Sequence, residues 1–467
     1  MPAFCCLDKA VLSRPRVFDA EPPNHGRQAW AQVVSAFLIC FCTLGLGNSF
    51  GVFQGYFAQS LLLSHSPSAI SWIGTVQGFF LSIVGILSGA LYDKGYIRSL
   101  VYTGAALSVA GLVATSFSSE YTSIFVSFGF IVGLGCGAIY IPALAILGAY
   151  FTTRLPVANA IATTGSSMGG VLYPILFRSL IDSVGFPWTC RIFAFINGAL
   201  LLVSCLLIRP RRAEPVVEEE LKPTKSTLHQ FLHLFKALAD LKFLAFSLCL
   251  FLLMMGIDVP FFYLSTIAQK KLGLSPQIGD YLLSGLNASS LFGRLVLGLL
   301  ADYTDSLHVW QFSTLGTTTL LFSFGTISSL ATIIVFAVFY GVFTGGLMTL
   351  VSPVLRIISP DPRTFGSNLG LAEGFMGLGI LVGSPVAGAI SETAGGFLAV
   401  GIFFGSLYVV VFVVIGIFIW KNQWKTANED VPSDGAFVTV ASMVPGHLPT
   451  VASMVTAHLP QTATQSD

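Results

Sequence analysis

Apolar residues in this chain run in long blocks separated by short polar stretches, with little strand-like or amphipathic alternation. A bilayer's hydrocarbon core needs about 20 apolar residues per helix, and helices keep every backbone polar group paired where no water can reach. Blocks of that length run from Trp30 to Tyr56, Ala69 to Tyr92, Leu100 to Phe117, Tyr121 to Phe151, Pro156 to Phe177 and Ile192 to Ile208. Six more run from Leu241 to Ile267, Ile278 to Leu300, Val309 to Leu330, Ile333 to Ile358, Phe365 to Ile390 and Phe397 to Trp420. The pattern predicts an all-α membrane protein of twelve transmembrane helices. Residues 1–29 form a cytosolic N-terminal segment, 30–208 a six-helix bundle and 209–240 a cytosolic middle loop. A second six-helix bundle spans 241–420, and 421–467 is a disordered cytosolic tail.

Composition agrees with this reading. The 467 residues are 54% hydrophobic and 10% charged, against roughly 25% charged in soluble domains. A net charge of +1 argues against nucleic acid as a partner, which calls for clustered cations. The stretch up to His25 has no apolar core of a cleaved signal peptide, so the first helix serves as the insertion signal. Positive loops stay in the cytosol. With both termini inside, Lys94, Arg98, Arg154, Arg209, Arg211, Arg212, Arg356, Arg363 and Lys421 fall on the cytosolic side, while Arg178, Arg191, Lys270 and Lys271 fall opposite. The expected location is the plasma membrane.

The eight cysteines show no metal-ligand spacing and read as packing residues, with Cys5 and Cys6 as possible acylation sites. The middle loop carries the acidic run Glu218, Glu219, Glu220, an amphipathic stretch from Leu228 to Leu238, and His229 with His233 on a solvated face. The tail repeats itself, TVASMVPGHLP then TVASMVTAHLP.

The two halves also match each other. Gly133 and Gly137 correspond to Gly341 and Gly345, and Met168-Gly169 to Met376-Gly377, both displaced by 208 residues. Gly89-Ala90-Leu91-Tyr92-Asp93 corresponds to Gly298-Leu299-Leu300-Ala301-Asp302, displaced by 209. Transporters are often built from duplicated units of this kind. Gly85 with Gly89, and Gly133, Gly135 and Gly137, would let helices approach closely, while Pro142 and Pro353 bend a matched pair.

The segment from Gly89 to Arg98, G-A-L-Y-D-K-G-Y-I-R, resembles the loop signature of the major facilitator superfamily, with a degenerate copy after the eighth helix. Gln28-Ala29-Trp30, Trp72-Ile73-Gly74-Thr75-Val76-Gln77, and Tyr150-Phe151 through Gly165-Ser166-Ser167-Met168-Gly169-Gly170 resemble fungal members of the monocarboxylate porter family. The resemblance spans nearly all of the membrane part. It implies two pseudo-symmetric bundles that rock about a central site, the major facilitator fold, and a substrate-binding arginine at Arg294.

The residues point to the same position. An ionisable side chain near the bilayer centre is expensive and usually faces a cavity. Arg294, in the eighth helix, has a planar cationic fork suited to a carboxylate. Asp258, before Pro260 in the seventh helix, can bind a proton or balance Arg294. Glu373, in the eleventh, can carry a proton or form a gating pair. Asn48, Gln54, Gln77, Tyr140 and Asn287 can hydrogen-bond a solute or join helices. Asp93 and Arg98 are expected to make cytosolic contacts that stabilise one access state. Asn287-Ala288-Ser289 matches a glycosylation pattern but falls inside a helix.

The chain also departs from the porter pattern. Asn24 stands where the family commonly has an acid, no lysine occurs between Lys9 and Lys94, and Ser290 replaces an aspartate one turn before Arg294. These changes leave proton coupling and lactate-like transport open. The expected function is secondary transport of a monocarboxylate or related acidic metabolite. The alternatives are an efflux carrier for a fungal secondary metabolite and a transporter-like receptor that senses a solute. No enzyme motif and no cofactor site is present in the sequence.

Overall fold

The computed structural model describes residues 16–17, 24–65, 67–210, 214–215, 235–362 and 364–429. The chain divides into two compact units, Met1–Trp420 and Lys421–Asp467. Among the described residues, ten helices are long and apolar enough to cross a membrane. One of them, Leu155–Leu207, has 53 residues. At 1.5 Å per residue it would be about 80 Å long, more than twice the hydrocarbon thickness. It is two crossings broken at Gly185, whose φ of 75° and ψ of 172° lie outside helical space. That positive φ suits a residue without Cβ, and Pro187 has no N–H to leave unpaired as the next helix starts. The 18-residue helix Ser306–Ser323 completes the twelve. Its hydroxyls bond back one turn, Ser313 to Val309, Thr314 to Trp310 and Thr317 to Ser313, which shields a polar sequence from lipid.

In chain order the helices are α1 (Arg27–Tyr56), α2 (Ala69–Asp93), α3 (Ile97–Thr115) and α4 (Tyr121–Tyr150). The long helix supplies α5 (155–184) and α6 (186–207). The second half has α7 (Leu241–Gln269), α8 (Pro276–Tyr303), α9 (Ser306–Ser323), α10 (Leu330–Ile358), α11 (Phe365–Ser391) and α12 (Gly396–Glu429). Three boundaries differ from the sequence expectation. The loop expected between the fifth and sixth spans shrinks to Gly185, because polar residues from Arg178 onward extend both helices beyond their apolar blocks. The ninth span ends at Ser323, and Leu330 opens α10. Helix α12 runs past Trp420, so the tail expected to be disordered begins as helix. Cys5, Cys6, the acidic run, His229, His233, Arg363 and the tandem repeat lie outside the described residues. Of the middle loop, a short turn Phe235–Ala239 is described, as is β2 (Glu214–Pro215), antiparallel to β1 (Arg16–Val17).

The duplication is visible in packing. A Cβ on Gly137 of α4 would lie 2.8 Å from the Leu81 carbonyl oxygen of α2. One on Gly345 of α10 would collide with the Ser290 carbonyl of α8. Leu81 and Ser290 stand 209 residues apart, so both halves seat a G-x-x-x-G helix on the equivalent neighbour. Helix α1 turns at Ser49 (φ −91°, ψ −1°) and α7 at Asp258 (φ −84°, ψ −11°), again 209 residues apart. In α7 the cause is Pro260, which cannot donate to the Gly256 carbonyl. Tyr340 of α10 donates to the adjacent Ile257 carbonyl at 3.0 Å, and Tyr408 of α12 to that of Leu253 at 2.6 Å.

The face where α1 begins and α2 ends is the base, and the opposite face the mouth. At the base α2 presses on α11. Side chains on Gly89 or Gly370 would strike the backbone of Gly366 or Gly85 respectively. Towards the mouth the pair separates: a Cβ on Gly377 would come 2.6 Å from that of Ser82, and one on Gly78 only 3.9 Å from Ile380. Between α2 and α11 the bundles are therefore sealed at the base and part towards the mouth.

Candidate functional site

Above the base seal, a cavity of about 220 Å³ lies between the bundles. The first bundle contributes Asn48 from α1, Gln77 from α2, Tyr140 from α4 and Ser166 from α5; the second contributes Asp258, Asn287, Arg294 and Glu373. Phe50, Leu81, Met254, Ile257, Phe261, Met348, Met376 and Ile380 make most of the remaining wall apolar. Most pockets that hold organic molecules are apolar with a few placed polar groups.

The floor holds the strongest charges. Arg294 is 7% exposed, and its Nε donates to the Ser167 hydroxyl of α5 at 3.1 Å, across the bundle interface. No carboxylate pairs with it among the described residues. On either side of Ser167, α5 packs closely on α1. A Cβ on Gly169 would come 2.7 Å from Gly45 Cα, and one on Gly165 would strike the Phe37 carbonyl. The π-helical stretch Phe41–Gly45 of α1 forms that contact. Glu373, 4% exposed, meets the Tyr140 hydroxyl and lies beside Gly85, at the upper edge of the seal. Cys40, expected only to pack, is buried close to both Arg294 and Glu373.

Higher up, Asp258 lies at the break in α7, half-buried, and its carboxylate has no hydrogen-bond or ion partner among the described residues. Asn287 donates to Leu283, and its Oδ1 would lie 2.8 Å from a Cβ on Gly170. Asn48 flanks the same glycine.

Thus seven expected site residues, Asn48, Gln77, Tyr140, Asp258, Asn287, Arg294 and Glu373, share one cavity. Gln54 lies nearer the mouth, half-buried and outside the cavity lining. Asp93 lies at the base, where its carboxylate accepts from the N–H groups of Gly366 (2.9 Å) and Ser367 (2.6 Å) and from the Ser367 hydroxyl. It caps the start of α11, where a carboxylate is favoured. Arg98, in the first turn of α3, is exposed. Asn24 accepts from the N–H groups of Thr152 and Thr153 at 2.6 and 3.1 Å, pinning the α4–α5 connection. Sequence reasoning missed Ser167 as the partner of Arg294. Its only signal was a run of small polar residues inside an apolar helix.

Known proteins agree with this architecture. The family model for the Major Facilitator Superfamily matches residues 36–328. The chain is 34% identical to the MFS-type transporter dbaD of Emericella nidulans over 79% of this chain and 80% of that protein. It is also 34% identical to the aspyridones efflux protein apdF of the same fungus, over 85% and 79%. The solved structure of the transporter FucP in its outward conformation superposes with a TM-score of 0.65 at 16% identity, covering 84% of this chain and 99% of that one. Two matched six-helix halves, a sealed base and a polar-floored central cavity therefore have a family: the chain belongs to the major facilitator superfamily and is a multi-pass membrane transporter of a small organic substrate.

Proposed function

We propose that this transporter exports an apolar organic acid, a secondary metabolite, with the acid held by Arg294. The observation that carries the reading is a buried cation in the cavity wall whose one hydrogen bond among the described residues goes to a neutral hydroxyl. A buried charge without a counter-charge is costly, and an arginine stays protonated under any ordinary condition. A substrate carboxylate or enolate in the cavity supplies the missing partner. The apolar walls suit a bulky body better than a two- or three-carbon acid, and the efflux role named for apdF favours export over the monocarboxylate transport implied by the porter resemblance.

In this reading the base faces the cytosol, the termini lie there, and the described conformation is the one open outward. Asp93 on the start of α11 holds that state. Asp258 and Glu373 are the groups that bind a proton or gate the cavity, with Tyr140 holding Glu373, while Asn48 and Asn287 guide the body of the substrate. Arg98 and Gln54 take no direct part.

The test is flux in membrane vesicles with a panel of radiolabelled organic acids, with and without a pH gradient. Arg294→Ala should reduce acid flux by about tenfold or more, the scale of one lost charged hydrogen bond, with the variant still in the membrane. Undiminished flux would refute the role of Arg294. A pH gradient without effect would remove the proton role from Asp258 and Glu373.

A further inference from the structure

One polar group in the cavity wall is left unused by that mechanism. Gln77 of α2 lines the cavity and is 1% exposed, yet its Nε2 has no hydrogen-bond partner among the described residues. A buried amide donor left unmade is unfavourable, and native structures keep few of them without a reason. Its neighbour on α1 is Gly47, also in the lining; a Cβ there would lie 3.5 Å from Gln77 Oε1 and 3.9 Å from Nε2. A glycine at that point keeps the approach to the amide narrow but open.

We propose that Gln77 donates to a second oxygen on the transported acid, a carbonyl or ether acceptor set apart from the acid group. This rests on the assignment of Arg294 to the acid. The spacing follows from the repeat. Gly85 takes the place of Arg294 in the first half, and Gln77 lies eight residues nearer the mouth on the same helix, about 12 Å along the axis. Both side chains lean towards the mouth, the N-terminal end of their helices. An oxygen adjacent to the carboxylate is therefore too close, and one across an aromatic ring is well placed. The substrate class is an apolar acid with an acceptor oxygen about a ring's width away. Such a molecule would join the charged bundle to the uncharged one.

The test compares equilibrium binding of 4-benzoylbenzoate and 4-benzylbenzoate to the full-length protein in detergent micelles. The two acids differ only in a bridging ketone against a methylene. The native protein should bind the ketone about five- to tenfold more tightly, the scale of one net hydrogen bond, and Gln77→Leu should bring the ratio near one. Gly47→Ala, which introduces no clash, should lower the ratio as well. A ratio near one in the native protein, or a preference unchanged in Gln77→Leu, overturns the proposal. Arg294→Ala should weaken both acids alike. Should it weaken neither while the ketone preference still follows Gln77, the acid assignment is what fails.

Discussion

At three positions where the second bundle turns an ionisable side chain towards the cavity, the first has a small neutral residue. Arg294 stands where the repeat has Gly85, Asp258 where it has Ser49, and Glu373 where it has Gly165. The packing plan is shared, since each G-x-x-x-G helix meets the equivalent neighbour in both halves. The difference shows what the two halves are for. Gly85 leaves room for the Ile141 side chain of α4, with its own carbonyl against Gly370 of α11, and Gly165 lets α5 approach the α1 backbone at Phe37. A Cβ on Gly85 would come 2.8 Å from the Ile141 side chain of α4 and 3.7 Å from Glu373 Cβ of α11, so an arginine there would crowd both neighbours just above the seal. One bundle therefore holds charge, and the other provides the flat surface against which it seals.

The strongest challenge to this division is to remove the flatness. In Gly89→Leu the new side chain would meet the Gly366 carbonyl in the closed base. Overpacking against rigid backbone costs about 3 kcal/mol, roughly a hundredfold shift towards the base-open state. Transport should fall to background. Cys40, buried at the floor, should become reactive to a thiol reagent supplied from the base. Normal flux would mean that the glycine contact is incidental.

A milder change keeps the surface and removes the charge across it. Asp93→Asn retains one acceptor oxygen but loses the anion at the start of α11. The expected weakening is about 1 to 2 kcal/mol, a five- to thirtyfold shift away from the sealed base. Lower flux together with faster Cys40 labelling checks it. Unchanged labelling would place the closing energy in the glycine contact alone.

Much of this was legible in the chain because lipid imposes a simple rule. Blocks of apolar residues marked the helices, and the recurring glycines marked the duplication at contacts later seen as α4 on α2 and α10 on α8. Arg294, Asp258 and Glu373 were legible because charge inside an apolar block has few uses. The turn at Gly185 was not, since the polar ends of α5 and α6 look like loop when hydropathy alone is read. That Gln54 falls outside the cavity lining was not legible, because residue type does not reveal which face of a helix meets the cavity. Ser167 was hidden for a related reason: a serine tells nothing until the cation it serves is placed.

The smallest effect tests the asymmetry most sharply. Asp302 of α8 is the repeat counterpart of Asp93, 209 residues on, and the corresponding helix start is that of α5. If the two halves closed the base alike, Asp302 would cap α5 as Asp93 caps α11. It does not: its Oδ1 is buried without a hydrogen-bond partner among the described residues. Arg154, exposed just before α5, is the opposing charge that acts on it, and such a solvent-screened pair is worth little. Asp302→Asn should therefore change flux and Cys40 labelling by no more than about twofold, the scale of a substitution that breaks no bond. The two aspartate variants, measured side by side, separate a base held on one side from a base held on both. Equal effects would mean that the duplicated halves share the closing contact, and that the difference between them is confined to the cavity.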